Sequence, residues 1–326
     1  MTTRRQIVLA LGAGALIAPL PSIAQQPEKV WRIGLLWAGS AKQVAIISNF
    51  VDGLRALGYV EGRNITFEWR FAEDRYERLP QLAEELARQR VDVIFTSGTP
   101  STRAAQRATK TIPIVVAGFA DPVAGGFAAS LAHPHGNITG FASMFEDIEG
   151  KRLELLASVL PQGARIAYLV NPANPALRLA EEFVASLEKN GKGVLVVRAR
   201  NMDEISKGFA SMAKQHAAAV LVPDEPTFIV HTPEIAKLAA RHKLPSCFAG
   251  KRGPETGGLM SYGVNYPDVF RSAAKFVDKI LKGANPGDIP IERPTRFEFI
   301  VNLNSAKALG LTIPPSILLR ADRVIE

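Results

Sequence analysis

The chain has 326 residues, of which 47% are hydrophobic, so it can build cores for two ordinary domains. Its single cysteine, Cys247, excludes an internal disulfide and is expected to be a buried, inert thiol. The net charge of +8 is spread over helical segments with polar faces, Lys151 and Arg152 among them, so nucleic acid is not an expected partner.

Residues 1–24 have the pattern of an export signal. Arg4 and Arg5 precede an apolar run over 7–20, and Ser22 and Ala24 supply the small residues that a signal peptidase reads. The run is too short to cross a bilayer core of ~30 Å, which needs about 20 apolar residues. The sequence therefore predicts a cleaved signal, of twin-arginine or Sec type, and a periplasmic protein. An uncleaved membrane anchor is the alternative.

In the first half of the chain, apolar runs alternate with amphipathic segments. Strands are predicted at 31–36, 65–69, 91–95 and 112–117, and helices at 44–57, 76–89, 100–109 and 123–131. The turn-rich stretch 133–140 (HPHGNITG) then interrupts this alternation. It is the first candidate for a hinge or domain boundary.

The alternation resumes in the second half. Helices are predicted at 148–160, 175–190, 203–216, 232–242 and 267–282, and strands at 165–170, 194–197, 218–222, 246–249 and 258–262. A proline-rich linker over 285–294, an alternating strand over 296–303 and a proline-rich tail complete the chain.

This repeated alternation predicts an α/β fold with two doubly wound parallel-sheet lobes joined by several crossing strands. The segments after Gly263 are expected to return to the first lobe and then to cross again. We therefore expect lobe 1 over 30–141 plus about 264–295, and lobe 2 over 142–263 plus about 300–320.

Small polar groups recur where the predicted strands end, which is where ligands gather in open parallel sheets. The candidate ligand-binding residues are Ser40, Ser97, Gly98, Thr99, Phe119 and Asp121 in the first lobe, and Asn171, Asp224 and Tyr262 in the second. Hydroxyls, amides at helix starts and a carboxylate suit a zwitterion or a small carboxylate. Each Ser or Thr alone would more simply be a helix N-cap, and Phe119 a core residue, so the prediction depends on the set.

Motifs of the common enzyme classes are absent from the sequence. It has no P-loop, no G-x-G-x-x-G after a strand, no H-E-x-x-H and no C-x-x-C. The stretch around Ser261 approaches a nucleophile elbow but lacks the glycine two residues before the serine. His133 and His135 lie close together, yet a solvent-facing loop is the simpler interpretation. We expect no catalytic residue, no metal and no cofactor.

Long stretches resemble one known family. The most specific are GGLMSYG at 257–263, ILKGA at 280–284 and AKALGLTIPPS at 306–316, supported by 57–65, 91–94, 112–115, 121–123, 136–140 and 151–156. They are similar to the substrate-binding proteins of ABC transporters related to tryptophan and tyrosine uptake receptors. The resemblance covers most of the chain after the predicted signal.

The resemblance implies a type I periplasmic binding fold that closes on a small ligand, typically an amino acid. Such a receptor delivers its ligand to an ABC permease in the inner membrane, and we expect it to be a monomer. By position, Ser97–Thr99, Asp121 and Asp224 match loops of the family, whereas His135 replaces a usual glycine. The other hypotheses are a hydrolytic enzyme acting on small carboxylates, with Ser261, Asp224 and Asp121 near one cleft, and a periplasmic sensor domain.

Overall fold

The computed structural model describes residues 29–41, 44–174, 177–189 and 193–326. The export signal predicted for 1–24 lies outside the described residues. Within these ranges, no helix is both long and apolar enough to cross a membrane. From Trp31 onward the described chain forms two sheets with helices packed against them.

The first lobe contains five parallel strands in the order β2-β1-β3-β4-β5. They are β1 (Trp31–Trp37), β2 (Ile65–Phe71), β3 (Val93–Thr96), β4 (Ile114–Phe119) and β5 (Ile138–Ala142), with helices α1 (Val44–Ala56), α2 (Leu79–Arg88) and α3 (Thr99–Ala108) between them. Strands β3 to β5 are buried on both faces, which explains their nearly continuous apolar sequences.

The second lobe contains seven strands in the order β12-β11-β10-β9-β8-β6-β7. The strands are β6 (Ile166–Val170), β7 (Val194–Arg198), β8 (Ala219–Val222), β9 (Ser246–Phe248), β10 (Met260–Val264), β11 (Phe297–Asn302) and β12 (Arg323–Ile325). The helices after β5 are, in chain order, α4 (Phe145–Ala157), α5 (Leu177–Lys189), α6 (Met202–Lys214), α7 (Pro226–Val230), α8 (Thr232–Arg241), α9 (Arg252–Glu255), α10 (Tyr266–Leu281), α11 (Leu303–Ala308) and α12 (Pro315–Leu318). Of these, α10 belongs to the first lobe. Strand β11 runs antiparallel to β10, so this sheet is mixed at one edge.

Three neighbouring crossings join the lobes. The chain first crosses to the second lobe after Ala142. It returns to the first lobe through α10. A segment after α10 then pairs with β5, and the chain crosses again to the second lobe to form β11. The Ala142 N–H donates to the Glu292 carbonyl at 2.8 Å, and the Asn265 N–H donates to the Arg296 carbonyl at 3.1 Å. Helix α10 packs on α1 and β4, with Phe270 in the first-lobe core. Such parallel crossings permit hinge bending between the lobes.

One local prediction is wrong. No helix forms over 123–131, because Gly126 has a φ of 68° and the segment folds into successive turns. The proline-rich tail, for which no element was predicted, contains α12 and β12. The turns over 133–137 lead into β5 of the first sheet, and the first crossing follows Ala142.

Candidate ligand-binding cavity

A cavity of about 150 Å³ lies between the lobes, where strands of both sheets end. Its lining includes Trp37 at the end of β1, Gly118 near the end of β4 and Asn171 just after β6. A cavity of this volume can hold a benzene-sized ring. Its position agrees with the general rule that ligands bind beyond the carboxyl ends of parallel strands.

On the first-lobe wall, the loop after β3 is tied to the loop after β4. The Ser97 hydroxyl donates to the Ala117 carbonyl at 2.6 Å, and the Thr99 hydroxyl oxygen accepts from the Ala120 N–H at 3.1 Å. Gly98, the N-cap of α3, has a φ of 80° that favours glycine. The first-turn N–H groups of α3 have no partner within the helix, so this wall offers hydrogen-bond donors without a formal charge.

Aromatic and aliphatic side chains form the apolar part of the cavity. Trp37 meets Phe270 edge-on with ring centroids 5.9 Å apart, and both residues line the cavity. From the second lobe, Phe145 and Ile148 of α4 and Leu177 of α5 complete this part of the lining. An apolar group of a ligand can therefore be buried between the lobes.

The second-lobe wall contains four neighbouring polar side chains, Glu149, Arg152, Tyr168 and Asp224, which we call the charge cluster. The Arg152 side chain is 1% exposed, pairs with Glu149 and donates from Nε to the Tyr262 carbonyl at 2.6 Å. The expectation that Arg152 lies on a polar helix face is therefore wrong. It points inward because a buried carboxylate compensates its charge.

Burial dominates the electrostatics of the charge cluster. It raises the pKa of Glu149 and of Asp224, although the Arg152 guanidinium acts in the opposite direction on both. Burial and the Glu149 charge also raise the pKa of Tyr168. A side-chain hydrogen bond between the Tyr168 hydroxyl and Glu149 adds to this rise.

Glu225 is a second buried carboxylate site with a different environment. It accepts hydrogen bonds from the Tyr76 hydroxyl at 2.6 Å, from the Asn171 amide at 3.0 Å and from the Phe228 N–H at 3.2 Å. Burial raises the pKa of Glu225, and these donors oppose the shift. Tyr76 belongs to the first lobe, so its bond to Glu225 spans the cleft.

Two further side-chain contacts connect the lobes. The hydroxyl of Tyr266, at the start of α10, donates to Asp224. At the surface, Arg178 of α5 lies 3.8 Å from the Asp121 carboxylate. With the bond between Tyr76 and Glu225, these contacts show that the described lobes are closed on each other.

The structure brings most of the candidate ligand-binding residues together. Those that line the cavity are Ser97, Gly98, Thr99, Phe119, Asn171 and Asp224. Phe119 is 1% exposed and also packs edge-on against Phe127, so it belongs to the core as well.

The other three candidates are not part of the cavity lining described here. Ser40 follows Gly39, which does line the cavity. Asp121 accepts from the Ala124 N–H at 3.0 Å and caps a turn near the surface. The ring of Tyr262 stacks on Phe297 with centroids 5.9 Å apart, and this packing keeps it within the second-lobe sheet.

Sequence reasoning did not select Tyr76, Glu149, Arg152 or Tyr168 as site residues. The sequence does contain a pattern that could have identified Glu149 and Arg152. The two residues lie three positions apart on a helix, and the adjacent positions 148 and 153 are apolar. Charged residues inside an apolar stripe are unusual unless they pair with each other. Tyr168 carries no such signal, since an aromatic residue in a buried strand is ordinary.

Within the described ranges, no group of three or more His, Cys, Asp or Glu side chains could hold a metal ion. The rings of His133 and His135 lie 5.9 Å apart in an exposed loop. The polar side-chain groups that line the cavity are instead carboxylates, amides, hydroxyls and one guanidinium. These groups suit a small polar ligand held by charge-assisted hydrogen bonds.

A family model described as ABC transporter substrate binding protein matches residues 40–325. The chain belongs to this family. A curated relative, the tyrosine-binding protein of Clostridioides difficile (strain R20291), is 27% identical over 263 residues, which are 80% of this chain and 75% of the relative. The predicted class, a substrate-binding protein of an ABC transporter, is confirmed.

Two solved structures of similar sequence identity differ in how well they match. The ABC domain in complex with L-Trp from Streptococcus pneumonia is 26% identical, with a TM-score of 0.82, and covers 91% of this chain and 100% of its own. The ligand-free, open structure of a substrate-binding protein from Clostridium difficile is also 26% identical but has a TM-score of 0.64, over 91% and 99%. The fold is a type I periplasmic binding fold, as predicted. The better match to the complex agrees with the closed lobes described above.

Proposed function

We propose that this receptor binds an amino acid with an aromatic or large apolar side chain and delivers it to a membrane permease. The proposal depends mainly on one observation: the cavity joins an apolar part of ring size to buried charged groups. An amino acid carries both kinds of group in one molecule. The tyrosine-binding relative and the complex with L-Trp favour the same class of ligand.

The ligand would act by favouring the closed arrangement, because it contacts both walls only when the lobes close. Moving the closed fraction from 1:99 to 99:1 requires ~5.5 kcal/mol of preference for the closed state. Hydrogen bonds to charged groups contribute about 1.5–3 kcal/mol each, so two to four such bonds suffice. The bond between Tyr76 and Glu225 spans the cleft and also favours closure.

The proposed place of action is the periplasm, supported by the export pattern of residues 1–24 and by the family. We propose that the protein acts there as a monomer and without catalysis. The alternative of a hydrolytic enzyme has less support. Its candidate nucleophile, Ser261, is 1% exposed within β10 and is not part of the described cavity lining.

A thermal-shift screen followed by titration calorimetry tests the proposal. The panel contains L-tyrosine, L-tryptophan and L-phenylalanine, with glycine and succinate as controls for small amino acids and carboxylates. We expect an aromatic amino acid to bind 1:1, and at a hundred times its Kd to stabilise the protein by about 2.7 kcal/mol. The ligand recovered after incubation should be chemically unchanged. Binding of glycine or succinate alone, or turnover of the ligand, would overturn the proposal.

A further inference from the structure

We infer that the outer edge of β2 is a self-association surface, through which two copies of this receptor pair as antiparallel strands. β2 (Ile65–Phe71) is the outermost strand of the first sheet. Within the described chain, only its first residue forms a bridge on the other side, to Glu61. An unpaired edge offers its backbone to a further strand. This edge lies outside the described lining of the ligand cavity, so the inference is independent of the proposed ligand.

Three aromatic side chains alternate along β2 and therefore share one face of the strand. They are Phe67, Trp69 and Phe71, here called the aromatic row. Neighbouring rings of the row contact each other, with centroids 5.7 and 5.8 Å apart. All three side chains remain partly exposed. The row is thus an apolar surface at a strand edge, and cross-strand contacts with a second copy would bury it.

The backbone of the aromatic row faces the free edge. At the start of β2, the Trp31 N–H donates to the Asn64 carbonyl at 2.9 Å. Just after its end, the Ala72 N–H donates to the Trp37 carbonyl at 2.9 Å. Successive residues of a strand direct their N–H and carbonyl groups to opposite edges, so the even-numbered residues of β2 bond to β1. The odd-numbered residues, which carry the row, direct theirs outward to where a partner strand would lie.

The charges of β2 select one register for such a pair. Glu68 and Arg70 flank Trp69 and lie on the face opposite the aromatic row. In an antiparallel pair centred on Trp69, each Glu68 lies opposite the partner's Arg70. Their side chains approach closely there, because the backbone groups of these residues face β1 and the pair is not hydrogen-bonded. A pair centred on Glu68 would instead bring two carboxylates together.

The segment FEWRF at 67–71 is therefore complementary to itself in a single two-fold arrangement. The aromatic rows of the two copies meet on one face of the joined sheet, and opposite charges meet on the other. The row's backbone groups form the hydrogen bonds between the copies.

The two charges also have contacts within one copy. Glu68 accepts from Arg32 at 3.1 Å, and Arg70 donates from Nε to Glu85 at 2.9 Å. Arg70 also donates to the Trp69 carbonyl at 2.8 Å. Each group can form a further bond, since a carboxylate has two oxygens, a carbonyl two lone pairs and a guanidinium five N–H donors. The internal contacts nevertheless compete with pairing.

We therefore expect a reversible dimer. A single strand pair with one aromatic row is at the small end of protein interfaces, so its Kd should lie between about 1 μM and 1 mM. The protein is then a monomer when dilute, and each copy keeps its own complete ligand cavity in the dimer, as the proposed function requires.

The first test is an exchange of charges, measured by sedimentation equilibrium of the ligand-free protein from about 1 μM to 1 mM. Glu68→Lys places a lysine opposite the partner's Arg70, and Arg70→Glu places a glutamate opposite the partner's Glu68. Each variant alone should self-associate about tenfold or more weakly than the unmodified protein. An equimolar mixture of the two variants restores opposite charges at both positions of a mixed dimer, so it should associate as the unmodified protein does.

The mixture separates pairing from folding, because a variant that had merely lost its internal contacts would not recover on mixing. Glu182→Lys is the control, since Glu182 is an exposed acid of the second lobe that pairs with Arg178, and it should leave association unchanged. A protein that stays monomeric up to about 1 mM would overturn the inference. So would undiminished association of both single variants, or a mixture that fails to recover.

The second test fixes the register by disulfide cross-linking. In Trp69→Cys the new thiols lie on the two-fold axis, with Cα atoms about 5.5 Å apart, which is within disulfide range. Phe67→Cys is the matched control on the same face of the strand, because its two copies would lie about 13 Å apart. The native Cys247 is buried and should not contribute. We expect oxidation to give a covalent dimer of Trp69→Cys and little of Phe67→Cys on a non-reducing gel. Equal yields, or no covalent dimer of Trp69→Cys, would overturn the proposed pairing.

Discussion

The first-lobe wall of the cavity is lined by hydroxyls, glycines and aromatic rings, whereas the second-lobe wall carries buried charges. Among the lining residues that the structure describes, all four with a formal charge lie in the second lobe: Glu149, Arg152, Asp224 and Glu225. The first lobe instead contributes the hydroxyls of Tyr76 and Tyr266, which donate to the second-lobe carboxylates. The two walls therefore contribute different interactions to ligand recognition.

This difference explains how closure can depend on a ligand. When the cleft is open, water can hydrate Asp224 and Glu225, and closure brings Tyr266 and Tyr76 of the first lobe onto these carboxylates. Burial in the closed state raises the pKa of both groups. A cationic ligand group offsets this unfavourable burial, so closure becomes favourable when such a ligand is present. The first-lobe wall, which has no formal charge, positions the ligand but does not change the charge balance.

The largest effect is expected on the charged wall, from Asp224→Ala. Removing one partner of a buried charged contact costs about 2–5 kcal/mol, so ligand affinity should fall about thirtyfold or more. The melting temperature of the free protein should change little, because water reaches this carboxylate when the cleft is open. Asp203→Ala is the control, since Asp203 is an exposed acid in the first turn of α6 and lies outside the described lining. If calorimetry found equal affinity losses in both variants, the buried charges of the second-lobe wall would have no special role in ligand binding.

An intermediate effect is expected at the edge of the cleft, from Tyr76→Phe. This change removes the hydrogen bond to Glu225, worth about 1.5–3 kcal/mol to the closed state. Small-angle scattering of the liganded protein at subsaturating ligand should show a larger radius of gyration, and ligand affinity should fall about tenfold to a hundredfold. In the control Tyr59→Phe, the lost bond runs to Asp278 within the first lobe, so neither quantity should change. An unchanged radius and affinity in Tyr76→Phe would exclude this bond from closure.

The smallest effect is expected on the neutral wall, from Thr99→Val. A neutral hydrogen bond contributes about 0.5–1.5 kcal/mol, so affinity should fall between twofold and tenfold. Thr102→Val is the matched control on the same helix, because the Thr102 hydroxyl donates to the Gly98 carbonyl and the residue is not in the described lining. A loss in Thr99→Val as large as that in Asp224→Ala would mean that the neutral wall holds the charged end of the ligand.

Much of the fold could be predicted because buried apolar residues recur in the sequence with the period of a helix or a strand. Helix α2 buries Leu79, Leu82 and Leu86 on one face, and β4 is buried along its whole length. Both patterns are local and were recognisable. The prediction failed at 123–131, where Gly125 and Gly126 fall inside an apparently helical stretch and the turns depend on positive φ values.

The loops of the site could also be predicted, but its chemistry could not. Ser97, Thr99 and Asp224 follow strands directly, and the rule for parallel sheets identifies such positions. The pairing of Tyr76 with Glu225 joins residues 149 positions apart, and no local pattern encodes it. Glu149 and Arg152 resemble surface residues of a helix until the second sheet covers them. Tertiary contacts, rather than residue type, decide which charges are buried.

The lone thiol has a practical consequence. Cys247 is the single cysteine of the sequence, it is fully buried, and burial raises its pKa to about 12. Because the thiolate is the reactive form, this cysteine should be inert to maleimides at neutral pH. Cysteines introduced at exposed positions of the two lobes, such as 110 and 214, would therefore take a donor and an acceptor dye without background labelling. The native chain is thus already suited to conversion into a fluorescent sensor of its own ligand.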